Sequence, residues 1–347
     1  MATDLKKTIL VTGGTGFIGS HTCVALLEAG YDVLVLDNLS NSCASVVHSI
    51  QMICGREPTF IEGDIRDQAL LNKLFETYPV AAVIHFAGLK AVGESVEKPL
   101  EYYENNVGGT LDLLAAMQNA GVKTMVFSSS ATVYGDPASV PISEDFPRSS
   151  TNPYGATKLM IENILADMYQ ADSDWRFARL RYFNPVGAHE SALIGENPTG
   201  VPNNLMPFIS QAAAGLRDEL SVFGDDYDTV DGSGVRDYIH VVDLANGHVA
   251  ALDYLNHNNE MLTVNLGTGQ GVSVLEMIHA FENSNQCKVP YRITGRRPGD
   301  IARCWADTRL ANRLLNWQAS RTLEDMCIDA WRWQNTLQDR KTTEKID

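Results

Sequence analysis

The chain has 347 residues, of which 44% are hydrophobic, and carries a formal net charge of −16 at pH 7. It can bury a large core in one or two domains. Its negative mean field, without a dense block of Lys or Arg, argues against a nucleic-acid partner.

The sequence also predicts a soluble, cytoplasmic protein. No apolar run approaches the ~18 residues that span a bilayer, and the residues before the first predicted strand leave no room for a signal peptide. The six cysteines show no C-x-x-C spacing, which is typical of reduced thiols in the cytoplasm.

Short β-branched runs alternate with helical patterns in the first half of the chain. Predicted strands are T-I-L-V-T (8–12), D-V-L-V-L-D (32–37), T-F-I-E-G-D (59–64), A-A-V-I-H-F-A-G (81–88) and T-M-V-F-S-S-S (124–130), and helical patterns lie at 18–29 and near 68–77, 100–120 and 154–170. Strands that are apolar on both faces and separated by helices indicate a parallel sheet covered on both sides. The predicted fold class is α/β, with a doubly wound parallel sheet of Rossmann type.

The second half of the chain is richer in loops and predicts a smaller α/β substrate-binding domain. We place a dinucleotide-binding domain at 1–183, the substrate domain at 184–338 and a frayed tail at 339–347. Residues near 236–267 could return to the main sheet, which would interleave the two domains.

The first predicted strand leads into a glycine-rich turn, T-G-G-T-G-F-I-G at 12–19. Gly14, Gly16 and Gly19 match the G-x-G-x-x-G spacing, and Gly13 adds a second match. Between a strand and a helix, these glycines permit a tight turn that brings a helix N-terminus close to a pyrophosphate. The turn therefore predicts a dinucleotide site.

Two acidic residues follow the next two predicted strands. Asp37 ends the second strand, where a carboxylate can bind the adenosine ribose hydroxyls and would repel a 2′-phosphate, so NAD is favoured over NADP. Asp64, after the third strand, could accept from the adenine edge, but it could equally be the N-cap of the next helix.

The candidate catalytic residues are Ser130, Tyr154 and Lys158. Tyr154 and Lys158 are four residues apart in a predicted helix, so they share one face. An ammonium beside a phenol, with a nicotinamide cation nearby, favours phenolate, and we expect the pKa of Tyr154 to fall from its reference of about 10 toward the working pH. Tyr154 would then act as a general base, with Ser130 bonded to the same substrate oxygen.

Longer segments extend these motifs into a family pattern. H-F-A-G-L-K-A-V-G-E-S, S-S-S-A-T-V-Y-G, N-P-Y-G-A-T-K and R-Y-F-N-P-V-G-A-H, in this order after the glycine turn, resemble the extended short-chain dehydrogenase/reductase family over about residues 8–335. The resemblance is strongest to members that modify UDP-sugars with bound NAD.

The resemblance implies reversible inversion at C4 of UDP-glucose and UDP-galactose through a transient 4-keto intermediate, in a homodimer built on the helices near 100–118 and 154–170. Dehydratases of the family carry Asp and Glu where this chain has Ala131 and Thr132, so dehydration is disfavoured. A UDP-sugar decarboxylase remains an alternative. A non-enzymatic NAD sensor would be expected to lose the catalytic Tyr, which this chain retains.

The resemblance also assigns binding residues by position. It places on NAD the residues Phe17, Ile18, Asp37, Asn38, Leu39, Ser40, Asn41, Ser42, Asp64, Ile65, Phe86, Ala87, Gly88, Leu89, Lys90, Asn105, Ser130, Tyr154, Lys158 and Phe183. It places on the UDP-sugar the residues Lys90, Ser130, Tyr154, Asn184, Asn204, Leu205, Ser221, Phe223, Arg236, Arg297, Asp300 and Cys304. In that set, two arginines can clamp a diphosphate and Phe223 can pack on uracil.

Cys304 bears on substrate choice. Some relatives carry a Tyr there, which walls the sugar pocket near C2, so a Cys would admit the N-acetylated hexosamines UDP-GlcNAc and UDP-GalNAc. Alternatively, Cys304 is a packed small hydrophobe with no effect. No His, Cys, Asp or Glu spacing predicts a metal site.

Overall fold

A parallel sheet of seven strands forms the centre of the molecule. The computed structural model describes residues 8–198, 200, 202–297 and 299–343. The sheet contains β1 Thr8–Thr12, β2 Asp32–Asp37, β3 Thr59–Glu62, β4 Val80–His85, β5 Thr124–Ser130, β6 Arg176–Tyr182 and, much later in the chain, β11 Leu262–Leu266. Their order is β11-β6-β5-β4-β1-β2-β3, and every pair is parallel. The predicted doubly wound fold is confirmed.

Helices cover both faces of this sheet, as strands with buried residues on both sides require. One face is packed by α1 Phe17–Glu28, α2 Ser45–Cys54, α9 Val241–His257 and α11 Arg309–Leu315. The other is packed by α3 Gln68–Thr77, α6 Gly109–Ala120 and α7 Pro153–Ala171. Before α6 lie α4 Val92–Glu97, α5 Pro99–Tyr102 and a π-helical turn at Tyr103–Gly108.

A smaller lobe lies beyond the carboxyl ends of the strands. It contains β7 Asn184–Val186, α8 Leu205–Ala213, β8 Leu220–Phe223, β9 Val235–Arg236, β10 Tyr238–His240, β12 Val272–Ser273, α10 Val274–Asn285, β13 Tyr291–Thr294, β14 Arg303–Cys304 and α12 Leu323–Thr343. Its strands form three small sheets, β10-β7, β12-β9-β14 and β13-β8. A separate cluster of buried side chains from α8, α10 and α12 forms its core.

The order of the strands positions the site. β1 lies between β2 and β4, so the chain crosses to the other side of β1 after β3. In an open parallel sheet, such a reversal leaves a crevice at the carboxyl ends of the strands, where ligands bind. The glycine turn follows β1 at this point.

Two helices of the structure bear on the sequence prediction, α2 and α12. The amphipathic helix α2 at Ser45–Cys54 lies in a stretch where no helix was predicted. Regular helix in α12 continues to Thr343, across part of the tail that is expected to fray from 339, and 344–347 lie outside the described residues. The return of later segments to the main sheet is made by α9 and β11.

Candidate active site

The glycine turn brings three stretches of backbone into contact. Gly13 has a φ of 71°, and a Cβ there would lie 2.7 Å from the backbone nitrogen of Ala87. A Cβ on Gly19 would lie 2.2 Å from the carbonyl oxygen of Gly13. These positions therefore admit only glycine, and they leave the N-terminus of α1 open for a pyrophosphate.

Asp37 organises the loop that follows β2. Its carboxylate accepts from the backbone N–H of Thr15 at 3.1 Å, from that of Leu39 at 2.9 Å and from the Ser42 hydroxyl at 3.1 Å. A carboxylate offers about four lone-pair sites. One site remains for a ribose hydroxyl, as the prediction for Asp37 requires.

The three candidate catalytic residues meet at the end of β5 and the start of α7. Asn152 caps α7 by accepting from the backbone N–H of Gly155 at 2.9 Å, and Pro153 occupies its first turn, a strong helix-start signal. Tyr154 is thus placed one residue inside the helix, where its hydroxyl bonds that of Ser130.

Lys158 lies one turn further along α7 and is 6% exposed. Its Nζ donates to the carbonyl oxygen of Ser128 at 2.7 Å and to the Ser128 hydroxyl at 3.2 Å, and it lies 5.9 Å from the centroid of the Tyr154 ring. One N–H remains for a ligand or for Tyr154.

The expected fall in the pKa of Tyr154 includes the effect of a nicotinamide cation, and the protein groups alone shift this pKa in the other direction. Burial raises the pKa of Tyr154, and the hydrogen bond with Ser130 only partly offsets that rise. Burial also lowers the pKa of Lys158 to about 7. The Lys158 ammonium is bonded to Ser128 rather than to the phenol, so it does not offset the effect of burial on Tyr154.

Nineteen of the predicted cofactor residues line one cavity of about 600 Å³. They are Gly13, Gly16, Phe17, Ile18, Gly19, Asp37, Asn38, Ser40, Asn41, Ser42, Ile65, Phe86, Ala87, Gly88, Leu89, Lys90, Asn105, Tyr154 and Lys158. Gly14, Leu39, Asp64, Ser130 and Phe183 are not among its lining residues. Gly14 and Leu39 belong to the backbone of the lining loops, and Ser130 bonds the hydroxyl of Tyr154, which does line the cavity.

Asp64 has other partners. Its carboxylate binds the Arg66 side chain at 2.8 and 2.9 Å and the Asn38 amide at 3.0 Å, and these contacts hold its pKa well below the usual range. The alternative of a helix cap is wrong, because Asp67 caps α3 by accepting from the backbone N–H of Leu70.

The π-helical turn supports the loop after β4. Asn106, in that turn, accepts from the backbone N–H of Leu89 at 2.8 Å and donates to the Leu89 carbonyl at 2.9 Å. It also donates to the hydroxyl of Thr157 on α7 at 3.1 Å. Asn106 thus ties the loop carrying Lys90 to the catalytic helix, a role that sequence analysis missed.

Part of the cavity wall comes from the smaller lobe and was not predicted. It consists of Leu193, Ile194, Gly195, Glu196, Asn197, Pro198, Asn203, Trp333 and Leu337. Within it, Glu196 accepts from Asn204 at 2.7 Å and pairs with Lys90 at 3.4 Å. Two predicted substrate ligands are therefore held by one carboxylate, and no sequence motif signals it.

The remaining predicted substrate residues fall into two groups. Asp300 lies between two guanidinium groups, 3.4 Å from Arg236 and 3.0 Å from Arg297, and Arg297 lies over the Phe223 ring at 5.6 Å. Ser221 is on the same face of β8 as the exposed Phe223. Asn184 begins β7, while Asn204 and Leu205 begin α8.

Cys304 is buried beside Arg236, its register partner in β9. It belongs to a small apolar cluster with Phe183, Tyr134 and Ile142, against which Ala131 packs. Burial raises the pKa of its thiol to about 11, so the group is a neutral, small side chain.

Thr132 is a second residue that sequence analysis missed. It was treated only as unable to perform acid and base chemistry. Its Oγ1 is buried and has no hydrogen-bond partner within the described part of the chain. This hydroxyl lies two residues from Ser130, and its hydrogen-bonding capacity is unused among the described residues.

The residues present fit NAD. Gly13, Gly16 and Gly19 line the cavity next to the N-terminus of α1, and Asp37 keeps an acceptor site for ribose. Among the described residues that line the cavity, the cationic side chains are Lys90 and Lys158, and neither follows β2, where a 2′-phosphate would need one. Across the described residues, no group of three potential metal ligands occurs, and no helix has the length and hydropathy of a membrane span.

Comparison with known proteins agrees with this geometry. The family model described as GDP-mannose 4,6 dehydratase matches residues 10–330. A UDP-glucose 4-epimerase from Bacillus subtilis is 58% identical over 328 residues, which is 94% of this chain and 97% of the relative.

Two solved structures are similar over nearly their whole length. A UDP-glucose 4-epimerase from Stenotrophomonas maltophila, with bound NAD and formylated UDP-arabinopyranose, is 53% identical with a TM-score of 0.95, covering 96% of this chain and 99% of its own. One from Bifidobacterium longum, in complex with NAD+ and UDP, is 52% identical with a TM-score of 0.92, covering 95% and 98%.

Proposed function

The chain belongs to the extended short-chain dehydrogenase/reductase family, among its UDP-glucose 4-epimerases, and on that premise we propose that it interconverts UDP-glucose and UDP-galactose with bound NAD. The observation that carries the proposal is the meeting of Ser130, Tyr154 and Lys158 beside a cavity that fits a dinucleotide. The reaction inverts C4, and its net redox change is zero.

Each catalytic residue has one task in this reaction. NAD, when bound, supplies reversible oxidation at C4. Tyr154 removes the proton from the C4 hydroxyl and later returns it, while Ser130, bonded to Tyr154, orients the same oxygen. Lys158 contributes the positive charge that favours phenolate against the effect of burial on Tyr154.

Inversion requires a firmly held nucleotide and a loosely held sugar. Arg236 and Arg297 already converge on Asp300, so a diphosphate can bind between guanidinium groups whose positions are set. Phe223, which is 42% exposed, offers a face to uracil. These anchors lie in the smaller lobe, whereas the proton is moved at α7.

Dehydration requires an acid and a base at the end of β5. Ala131 has no polar side-chain atom, and the Thr132 hydroxyl does not ionise in the working range. The match to a model described as a dehydratase therefore supports the family and its fold, and the side chains at 131 and 132 support inversion without loss of water.

The direct test is to incubate the purified protein with UDP-galactose, without added NAD, and to measure UDP-glucose. Formation of product would show epimerase activity together with retained cofactor. Tyr154→Phe should lower turnover about a hundredfold or more while bound NAD, measured after denaturation, stays unchanged. Unchanged turnover in Tyr154→Phe would overturn the assigned base.

We also propose that the protein accepts N-acetylated substrates, interconverting UDP-GlcNAc and UDP-GalNAc. Cys304, buried beside Phe183 and Arg236, has a small neutral side chain, which supports a sugar pocket with room for an N-acetyl group at C2. Cys304→Tyr should suppress turnover of UDP-GlcNAc and spare that of UDP-glucose. Equal loss of both, or no acetylated turnover in the parent, would contradict this proposal.

We further propose that the protein forms a homodimer and that it is located in the cytoplasm. Large apolar side chains on α4, α5, α6 and α7 are exposed, namely Val92, Val96, Leu100, Leu111 and Met160. Such a surface suits a second copy of the chain. The cysteines are free thiols, as in a reducing compartment. Light scattering should give twice the monomer mass, and Leu100→Glu should lower it.

A further inference from the structure

A row of buried polar groups runs from α9 to the catalytic lysine. It begins at His248, which is fully buried on α9. The His248 Nδ1 lies 2.8 Å from the carbonyl oxygen of Leu244. Because a carbonyl can only accept, Nδ1 must carry the proton, and Nε2 of the neutral ring is therefore an acceptor.

The tautomer of His248 determines the next hydrogen bond. The Tyr182 hydroxyl contacts His248 Nε2 and must donate its proton there. The same hydroxyl interacts with the Ser128 hydroxyl. Since its proton is already committed, Tyr182 can only accept from Ser128.

The last step reaches Lys158. With its proton directed to Tyr182, the Ser128 Oγ accepts from Lys158 Nζ at 3.2 Å, beside the Ser128 carbonyl at 2.7 Å. Both groups present lone pairs to the amine. With the opposite tautomer, His248 would donate to Tyr182 and Tyr182 would donate to Ser128. The Ser128 proton would then point at Nζ, and Lys158 would have to be a neutral amine to accept it.

We propose that His248 is a positioning residue, whose bond to the Leu244 carbonyl fixes the direction of the hydrogen bonds through Tyr182 and Ser128 and so keeps Lys158 as a cationic donor. His248 bonds Tyr182, and it acts on Lys158 only through Tyr182 and Ser128. The inference rests on the proposed function for the role of Lys158, but the tautomer itself does not.

The surroundings of Lys158 make this support necessary. Burial lowers the pKa of Lys158 to about 7. The titratable groups that face it are Tyr154 on its own helix, His85 at the end of β4, and Tyr182 on β6. Burial lowers the pKa of His85 to about 3, so that ring is neutral near neutral pH. Burial raises the pKa of Tyr154 and of Tyr182, so neither of these phenols is an anion there. The acceptors on Ser128 are what stabilise the ammonium.

His248 can keep the direction of these hydrogen bonds unchanged over the working pH range. Burial lowers its pKa to about 4, with the Leu244 bond opposing that shift only partly. The ring therefore stays neutral and keeps the same tautomer from weakly acidic to alkaline pH.

The first test measures the tautomer in the intact, NAD-loaded protein. Nitrogen NMR on protein with ¹⁵N-labelled histidine, with the His248 signals assigned from their absence in His248→Gln, reports which ring nitrogen carries the proton. We expect a protonated Nδ1 and an unprotonated Nε2. A protonated Nε2 would overturn the inference whether or not the protein is an epimerase.

The second test compares two variants of similar size. Gln can accept from Tyr182 and donate to the Leu244 carbonyl, whereas Leu can do neither. His248→Leu should weaken the acceptors on Lys158 and lower its pKa, so the alkaline limb of kcat should move about one unit to lower pH, with KM little changed. His248→Gln should restore the parent profile.

A double variant separates this effect from loss of packing. Tyr182→Phe interrupts the same row, so adding His248→Leu to it should produce little further movement of the alkaline limb. Additive shifts in the double variant, or equal damage from His248→Gln and His248→Leu, would contradict the role assigned to His248.

Discussion

Gly13 and Gly19, after β1, occupy positions where a side chain would clash with neighbouring atoms. At Gly13 and Gly19 the atoms that a Cβ would meet belong to the backbone, which cannot rotate away. Side-chain clashes can relax, but backbone clashes require a strand or a helix to shift. The close approach of β1, α1 and the loop after β4 therefore depends on glycine at positions 13 and 19.

Gly19→Ala should separate the turn from α1 and remove the pyrophosphate site. We expect loss of retained NAD and a lower melting temperature, measured by cofactor release and by thermal unfolding. Gly93 is the matched control, because it lies in α4 with no heavy atom within 4 Å of its Cβ position. Gly93→Ala should keep NAD and change stability by less than about 1 kcal/mol.

Helix α7 links the site to the core through a single face. Tyr154, Lys158 and Glu162 follow one another at intervals of four residues. The buried Glu162 accepts from Ser129 at 2.6 Å and from Arg181 at 2.8 and 2.9 Å. The same face that presents the base thus anchors the helix to β5 and β6, which fixes the distance between Tyr154 and the strand-end serines.

This anchor should make stability depend on pH. Burial raises the pKa of Glu162, but Arg181 and Ser129 more than offset it, so the folded pKa lies below the usual value. A depressed carboxyl pKa contributes stability above the unfolded value of about 4.3, and the contribution is lost as pH falls through the folded pKa.

Glu162→Gln should lower the free energy of unfolding by about 3 kcal/mol at neutral pH, because Arg181 stays buried without its counter-charge. Urea unfolding between neutral and acid pH measures both the cost and its decline. Glu219→Gln, which breaks the exposed pair with Arg292, should cost less than about 1 kcal/mol. A variant at Glu162 as stable as the parent at neutral pH would contradict the anchoring role.

The strands and most helices of the first half follow from local pattern. β1 to β5 are short, apolar on both faces and bounded by helical periodicity, so their parallel pairing could be predicted, whereas their order in the sheet is known only from the structure. Helix α2 was missed although Val46, Val47 and Ile50 are spaced for one buried face.

Other features depend on contacts that no local pattern encodes. Glu196 and Trp333 are separated by most of the smaller lobe in sequence, yet they meet at one cavity wall, with Trp333 donating to the Glu196 carbonyl at 3.0 Å. The direction of the pKa shift of Tyr154 likewise depends on burial and on where Lys158 points. Both are properties of tertiary packing.

The two lobes enclose the cavity together. The dinucleotide-binding half supplies the turn and loops, and the smaller lobe supplies residues 193–198 with Trp333 and Leu337 of α12. An epimerase must retain its cofactor between the two halves of the reaction. We expect the second lobe to slow cofactor release, because its residues form part of the cavity wall.

Trp333→Ala should therefore release NAD about tenfold faster, since truncating a buried Trp at a binding surface commonly costs more than 1.4 kcal/mol. The measurement is the cofactor retained during dialysis, followed by its absorbance. Trp331→Ala is the control on the same helix. Trp331 packs on Phe281 at 5.7 Å and does not line the cavity, so its loss should lower the melting temperature without speeding release.

The place of β11 at the edge of the main sheet sets a sequence of events during synthesis. β6 ends at Tyr182, but its partner begins only at Leu262. A nascent chain that has made the first six strands exposes the β6 edge until β11 arrives, and an open edge invites pairing with other chains. A chain interrupted between these strands would keep this edge unpaired, so we expect aggregation during folding to be greatest in this interval.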